Sequence, residues 1–136
     1  MPNDSAAVAD GRAIENKMKI ILIVDDEVDV TLTYSMLLQL HGFTTLTAAN
    51  GRQALDVVDA TLPDIVLSDC MMPQMDGLEL ARRLRADLRT AAIPIILMSA
   101  APERHILSDS GYDIFLQKPV RLPELLATID RLLLPR

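Results

Sequence analysis

Residues 64–69 read Asp-Ile-Val-Leu-Ser-Asp, a run too continuously apolar at its centre for a strand with one face in water. A sheet that holds such a strand is covered on both faces, as parallel sheets are when their crossovers lie above and below. Four more apolar runs accompany it: "KIILIV" at 19–24, the weaker "TTLTAA" at 44–49, "IPIILMS" at 93–99 and "IFLQ" at 114–117. Segments of helical period separate them. Val30, Tyr34 and Leu37 at i, i+4 and i+7 predict a helix over 27–41 that Gly42 stops. Asn50-Gly51 opens a second helix, with Leu55, Val58 and Leu62 on one face and Pro63 ending it, and a third runs from about Gly77 to Ala86. A short helical stretch is expected between the fourth and fifth strands. Pro123 suits the first turn of a last helix, where its missing N–H costs nothing, and Leu122, Leu125, Leu126, Ile129, Leu132 and Leu133 give that helix its buried stripe. The alternation implies an α/β fold, a doubly wound parallel sheet of five strands with helices on both faces.

One domain fits in 136 residues. With two Tyr, two Phe and no Trp, its core must be aliphatic. A net charge of -6 opposes direct nucleic-acid binding, which needs clustered Lys and Arg. The single cysteine, Cys70, excludes an internal disulfide or a multi-cysteine metal site. Residues 1–17 are polar and Ala-rich and lack the apolar core of a secretory signal. They read as a flexible N-terminal extension, with the folded domain over 18–136. No apolar run approaches the length of a membrane span, so the expected location is cytoplasmic, without a membrane partner.

The first strand runs straight into Asp25, Asp26 and Glu27, whose charges repel. In open α/β sheets the working site lies outside the carboxyl ends of the strands. There Asp25 and Asp26 would meet Asp69 from strand three, Ser99 from strand four and Lys118 after strand five. A hard divalent cation held by carboxylate oxygens, with Mg2+ the expected ion, would resolve the repulsion. A lone Asp after a strand is more often a helix N-cap. Acids at two strand ends, a hydroxyl at a third and a cation at a fourth are harder to explain as independent caps.

"ILIVDDE", "DIVLSDCMMPQMDGLELARRLR", "IPIILMSA" and "FLQKPV" together resemble the receiver domain of two-component response regulators, over residues 19 to about 134. The resemblance implies a flavodoxin-like strand order 2-1-3-4-5. It also implies a phosphorelay function in which Asp69 takes a phosphoryl group from a phosphohistidine on a histidine kinase or histidine phosphotransfer protein. Asp25, Asp26, Asp69 and the main-chain carbonyl of Met71 would hold Mg2+. Lys118 and Ser99 would contact the phosphoryl oxygens, and Ser99 with Phe115 would form the switch. Lys118-Pro119 matches a position where that family's peptide is typically cis. Such a protein assists its own phosphorylation and dephosphorylation without turning over an external substrate.

Met71, Met72, Met75 and Met98 are soft donors unsuited to Mg2+ and are expected to pack. Cys70 reads as buried filler, and His41 and His105 lack matching ligands. Against the family pattern, the interval from Ser99 to Lys118 is two or three residues short, and Tyr112 stands where a small residue is common. A receiver cut from a larger DNA-binding regulator or hybrid histidine kinase is the alternative. A haloacid dehalogenase-like Mg2+ phosphatase is less apt, since its first strand should end in Asp-x-Asp and "VDDEV" has adjacent acids. The absence of a Gly-rich phosphate loop after strand one argues against a nucleotide or flavin carrier.

Overall fold

A computed structural model describes residues 19–103 and 111–134. Its elements, in chain order, are β1 Ile20–Val24, α1 Val28–Leu40, β2 Thr44–Ala48, α2 Gly51–Ala60, β3 Ile65–Asp69, α3 Gly77–Ala86, β4 Ile95–Ser99, β5 Ile114–Gln117 and α4 Leu122–Leu133. The sheet order is β2-β1-β3-β4-β5, all parallel, as the sequence resemblance implied. The short helix expected between β4 and β5, His105 and the extension at 1–17 lie outside the described residues.

Alternation along each strand divides the core in two. Leu22, Val24, Val66, Cys70 and Leu97 face Ala54 and Val58 of α2 and Leu80, Ala81 and Leu84 of α3. Ile21, Ile23, Ile65, Leu67, Ile96 and Met98 face Leu38 of α1 and Leu125 and Ile129 of α4. Every residue of β3 and β4 is buried. Each such aliphatic side chain contributes about 1.5–3 kcal/mol, so the strand ends that carry the polar residues project from a rigid frame.

Local signals set the helix ends. Asn50 caps α2, its side chain accepting from the Gln53 N–H, and Asp76 caps α3 by accepting from the Glu79 N–H. Gly42 follows α1 with φ +95, which a glycine adopts without steric penalty. Pro123 sits in the first turn of α4.

Three packing expectations change. The buried face of α1 centres on Thr31 and Leu38, with Val30, Tyr34 and Leu37 only half-buried. α2 stops at Ala60, because Thr61 is already extended, so Leu62 leaves the predicted face and is exposed. Met71 does not pack but is 69% exposed, whereas Met98 is fully buried.

Candidate functional site

Backbone hydrogen bonds stitch the carboxyl ends of the strands into one rim. The Asp25 N–H donates to Ala48 O at 3.1 Å, the Cys70 N–H to Met98 O at 2.8 Å and the Lys118 N–H to Ser99 O at 2.8 Å. These bonds place Asp25, Asp69, Ser99 and Lys118 side by side although 93 positions separate the first from the last. Behind Asp69, the Gly77 N–H donates to Cys70 O at 3.0 Å and seats α3 directly against the strand end.

Oxygens of Asp25, Asp26 and Asp69 lie within 4.8 Å of one another. Lys118 Nζ approaches Asp69 Oδ1 at 3.2 Å and Asp25 Oδ2 at 3.6 Å. Asp25 and Asp69 are buried and Asp26 is exposed, so the cluster opens to solvent on one side. Asp25 Oδ1 accepts from the Glu27 N–H at 2.9 Å. Glu27, which precedes α1, caps it with no side-chain hydrogen bond. The Asp25 carboxylate therefore turns one oxygen to the backbone, while its Oδ2 is buried with no hydrogen-bond partner among the described residues. The Lys118 ammonium, 3.6 Å away, reaches that oxygen as an ion pair without a hydrogen bond, and a buried carboxylate oxygen with no hydrogen bond costs stability. Three carboxylates against one ammonium leave a net excess of negative charge, and the oxygen donors are those a hard divalent cation takes. The donor set fits Mg2+.

Electrostatics follow from this crowding. Burial pushes the Asp69 carboxyl above the ordinary carboxylate range, Lys118 pulls it down, and Asp25 and Asp26 push it up again. For Lys118, burial works against the charge, but Asp69 and Asp25 outweigh it and raise its pKa, so the ammonium persists at neutral pH. Tyr34, which motif reading assigned only to packing, lies in the same field. Burial raises its pKa, Lys118 lowers it and Asp25 raises it.

Ser99 is buried, and its Oγ accepts from the Ala101 N–H at 3.1 Å; a hydroxyl so engaged retains its proton for another acceptor. The Lys118-Pro119 peptide is cis. Phe115 pairs with Leu97 in the β4–β5 register, two positions below the Ser99 and Gln117 pair. Met71 lies two residues beyond Asp69 and is exposed. Cys70 is buried, and its thiol is pushed up to about 11 by burial and by Asp76 and Asp69, which makes it a poor nucleophile. Among the described residues no helix is long and apolar enough to cross a membrane.

A family model described as the response regulator receiver domain matches residues 21–130. The response regulator MprA of Mycolicibacterium vanbaalenii is 40% identical over 116 residues, which cover 83% of this chain and 49% of that protein. The phosphate regulon transcriptional regulatory protein PhoB of Pseudomonas aeruginosa is 38% identical over 118 residues, covering 85% and 52%. The chain thus spans about half the length of the curated relatives it matches. Among solved structures, the signal receiver domain of a signal transduction histidine kinase from Syntrophus aciditrophicus superposes with a TM-score of 0.80 at 33% identity, covering 85% of this chain and 89% of that one. The response regulator TrrA of Thermotoga maritima, in complex with Mg2+ and BeF, gives 0.77 at 34% identity, covering 85% and 99%.

Proposed function

The chain belongs to the response regulator receiver family and serves two-component signalling, and on that basis we propose that Asp69 is its phosphoryl acceptor. Receiver domains interact with histidine kinases, and the donor proposed here is a phosphohistidine on such a kinase or on a histidine phosphotransfer protein. A carboxylate oxygen of Asp69 attacks phosphorus as the N–P bond breaks. The imidazole nitrogen leaves with the electron pair and takes up a proton, and Asp69 becomes an acyl phosphate. The observation that carries this reading is the convergence of the Lys118 ammonium on Asp69 and on a buried Asp25 Oδ2 that no hydrogen bond satisfies among the described residues.

Phosphoryl transfer asks mainly for alignment and for positive charge around the phosphoryl oxygens. Lys118, charged and 3.2 Å from Asp69, supplies an ammonium to one oxygen, and the buried Ser99 hydroxyl donates to another. Asp25, Asp26, Asp69 and the Met71 carbonyl would hold Mg2+. When bound, that ion supplies charge neutralisation at the carboxylates and at the phosphoryl group. With the phosphoryl group in place, Ser99 is drawn toward it and Phe115 turns into the space released, which alters the surface of β5. The output is contact with another protein or onward transfer of the phosphate. The receiver unit is taken as 18–136.

The family match displaces the haloacid dehalogenase reading, and receivers are not a classical enzyme family. The test is incubation with acetyl phosphate and Mg2+, read by intact mass. Wild type gains one phosphoryl group and Asp69→Asn gains none; equal labelling of the variant refutes the assignment.

A further inference from the structure

Tyr112 leads the chain into β5 and makes two contacts at once. Its hydroxyl donates to Glu103 Oε2 at 2.8 Å. Its ring lies 6.4 Å from that of Phe115, centroid to centroid, tilted by 57°, a separation and tilt at which aromatic rings attract. Glu103 follows Ser99 by four positions, so this hydrogen bond ties the two ends of the β4–β5 crossover together. The backbone on the Tyr112 side is anchored separately. Arg85 Nη2 donates to Asp113 Oδ2 at 2.6 Å, and the same oxygen accepts from the Ile95 N–H at 2.7 Å. Gly111 has φ +92, and a Cβ there would come within 2.6 Å of Arg85 Cγ. The foot of β5 is therefore fixed, and the Tyr112 ring is held from both its hydroxyl and its backbone.

Phe115 is half-buried against the same core face as Tyr112. A turn of the Phe115 ring would change the separation and tilt of this aromatic pair. We propose that Tyr112, held by Glu103, latches Phe115 in its present position and so sets how much of the unphosphorylated chain visits the switched arrangement. Tyr112 is on this view a positioning residue acting through Phe115. Burial and the Glu103 carboxylate push its phenol up to about 12, so it remains a donor throughout the neutral range. This inference rests on the Phe115 turn proposed above. One such hydrogen bond, net of water, weighs roughly two- to tenfold in a two-state equilibrium.

The experiment uses the full chain with 13C-labelled aromatic rings. Phe43, buried in the other half of the core, serves as the internal control. In Tyr112→Phe without any phosphoryl mimic, the Phe115 signal should move toward the position it takes in wild type with beryllofluoride and Mg2+, a roughly two- to tenfold rise in switched population, while Phe43 stays still. In Glu103→Gln, the titration midpoint of the Tyr112 ring carbon should fall and that of Tyr34 should not. If wild-type Phe115 responds to beryllofluoride but neither variant shifts it beforehand, the latch is wrong and the switch stands. An unchanged Tyr112 midpoint also overturns the latch. If wild-type Phe115 ignores beryllofluoride, the switch fails and the latch with it.

Discussion

Gly77→Ala tests how tightly the acceptor strand is supported from behind. A Cβ at Gly77 would stand 2.5 Å from the Asp69 carbonyl oxygen, 3.0 Å from Leu97 Cδ2 and 3.1 Å from Cys70 Cα. The leucine methyl can rotate away, but the other two atoms are backbone. They lie at the end of a fully buried strand paired on both sides and at the residue just after it. Nor can α3 retreat freely, since the Gly77 N–H is bonded to Cys70 O at 3.0 Å. Overpacking usually costs about 1–3 kcal/mol, and with rigid backbone as the obstacle the upper end, about 3 kcal/mol, is expected. At a urea slope of about 1–3 kcal/mol/M the unfolding midpoint should fall by about 1 M or more, followed by far-ultraviolet circular dichroism because the chain has no Trp. The displaced oxygen belongs to Asp69 itself, so in urea-free buffer the folded variant should also be labelled by acetyl phosphate roughly tenfold more slowly or worse. An unchanged midpoint together with wild-type labelling would refute the close packing on which this argument depends.

Three further outcomes follow from the same geometry. In metal-free protein the Asp69 carboxyl is raised by burial, so the folded state holds that proton more tightly than the unfolded one. Its contribution to stability is then favourable at low pH and is lost as pH rises from the ordinary carboxylate value through the folded one. Lys118→Met removes the ammonium that pulls this pKa down and should carry the Asp69 titration, read by carboxyl 13C NMR, to higher pH; a downward shift would contradict the assignment. Asp26→Ala, at an exposed position of the cluster, should weaken Mg2+ binding measured by calorimetry while the unfolding free energy in urea stays within about 0.5 kcal/mol of wild type, and unchanged affinity would remove Asp26 from the metal site. Cys70, buried with its thiol pushed up to about 11, should resist iodoacetamide at pH 8 in the folded protein and react once urea unfolds it, so rapid labelling of the native chain would show the site to be open.

What could be read in advance was whatever the chain writes locally or the topology enforces. β3 announces itself by five buried residues in a row ending in Asp69. The meeting of Asp25, Asp26 and Asp69 needed no contact information, because a parallel sheet brings every strand's carboxyl end to one edge. Contacts between residue types that ordinarily face water were not legible. Tyr112 with Glu103 and Arg85 with Asp113 join positions 9 and 28 apart, and nothing in their identities selects those partners. The close approach behind Asp69 was equally hidden, since a glycine after an N-cap Asp can be explained without it. α1 shows the physical limit most plainly. It buries Thr31 and Leu38 and leaves Val28, Leu32, Met36 and Leu40 at 63%, 57%, 61% and 76% exposure. Those four stand at i+4 spacing, as regular as any core stripe, and Val30, Tyr34 and Leu37 make another. A helix apolar on more than one face has no single inward direction in its period. Its rotation was set instead by the partners it meets, with Leu38 in the core facing β1 and β3 and Ser35 Oγ 2.6 Å from Thr45 Oγ1 on the edge strand, and the apolar side chains on the far face were left in solvent as the consequence.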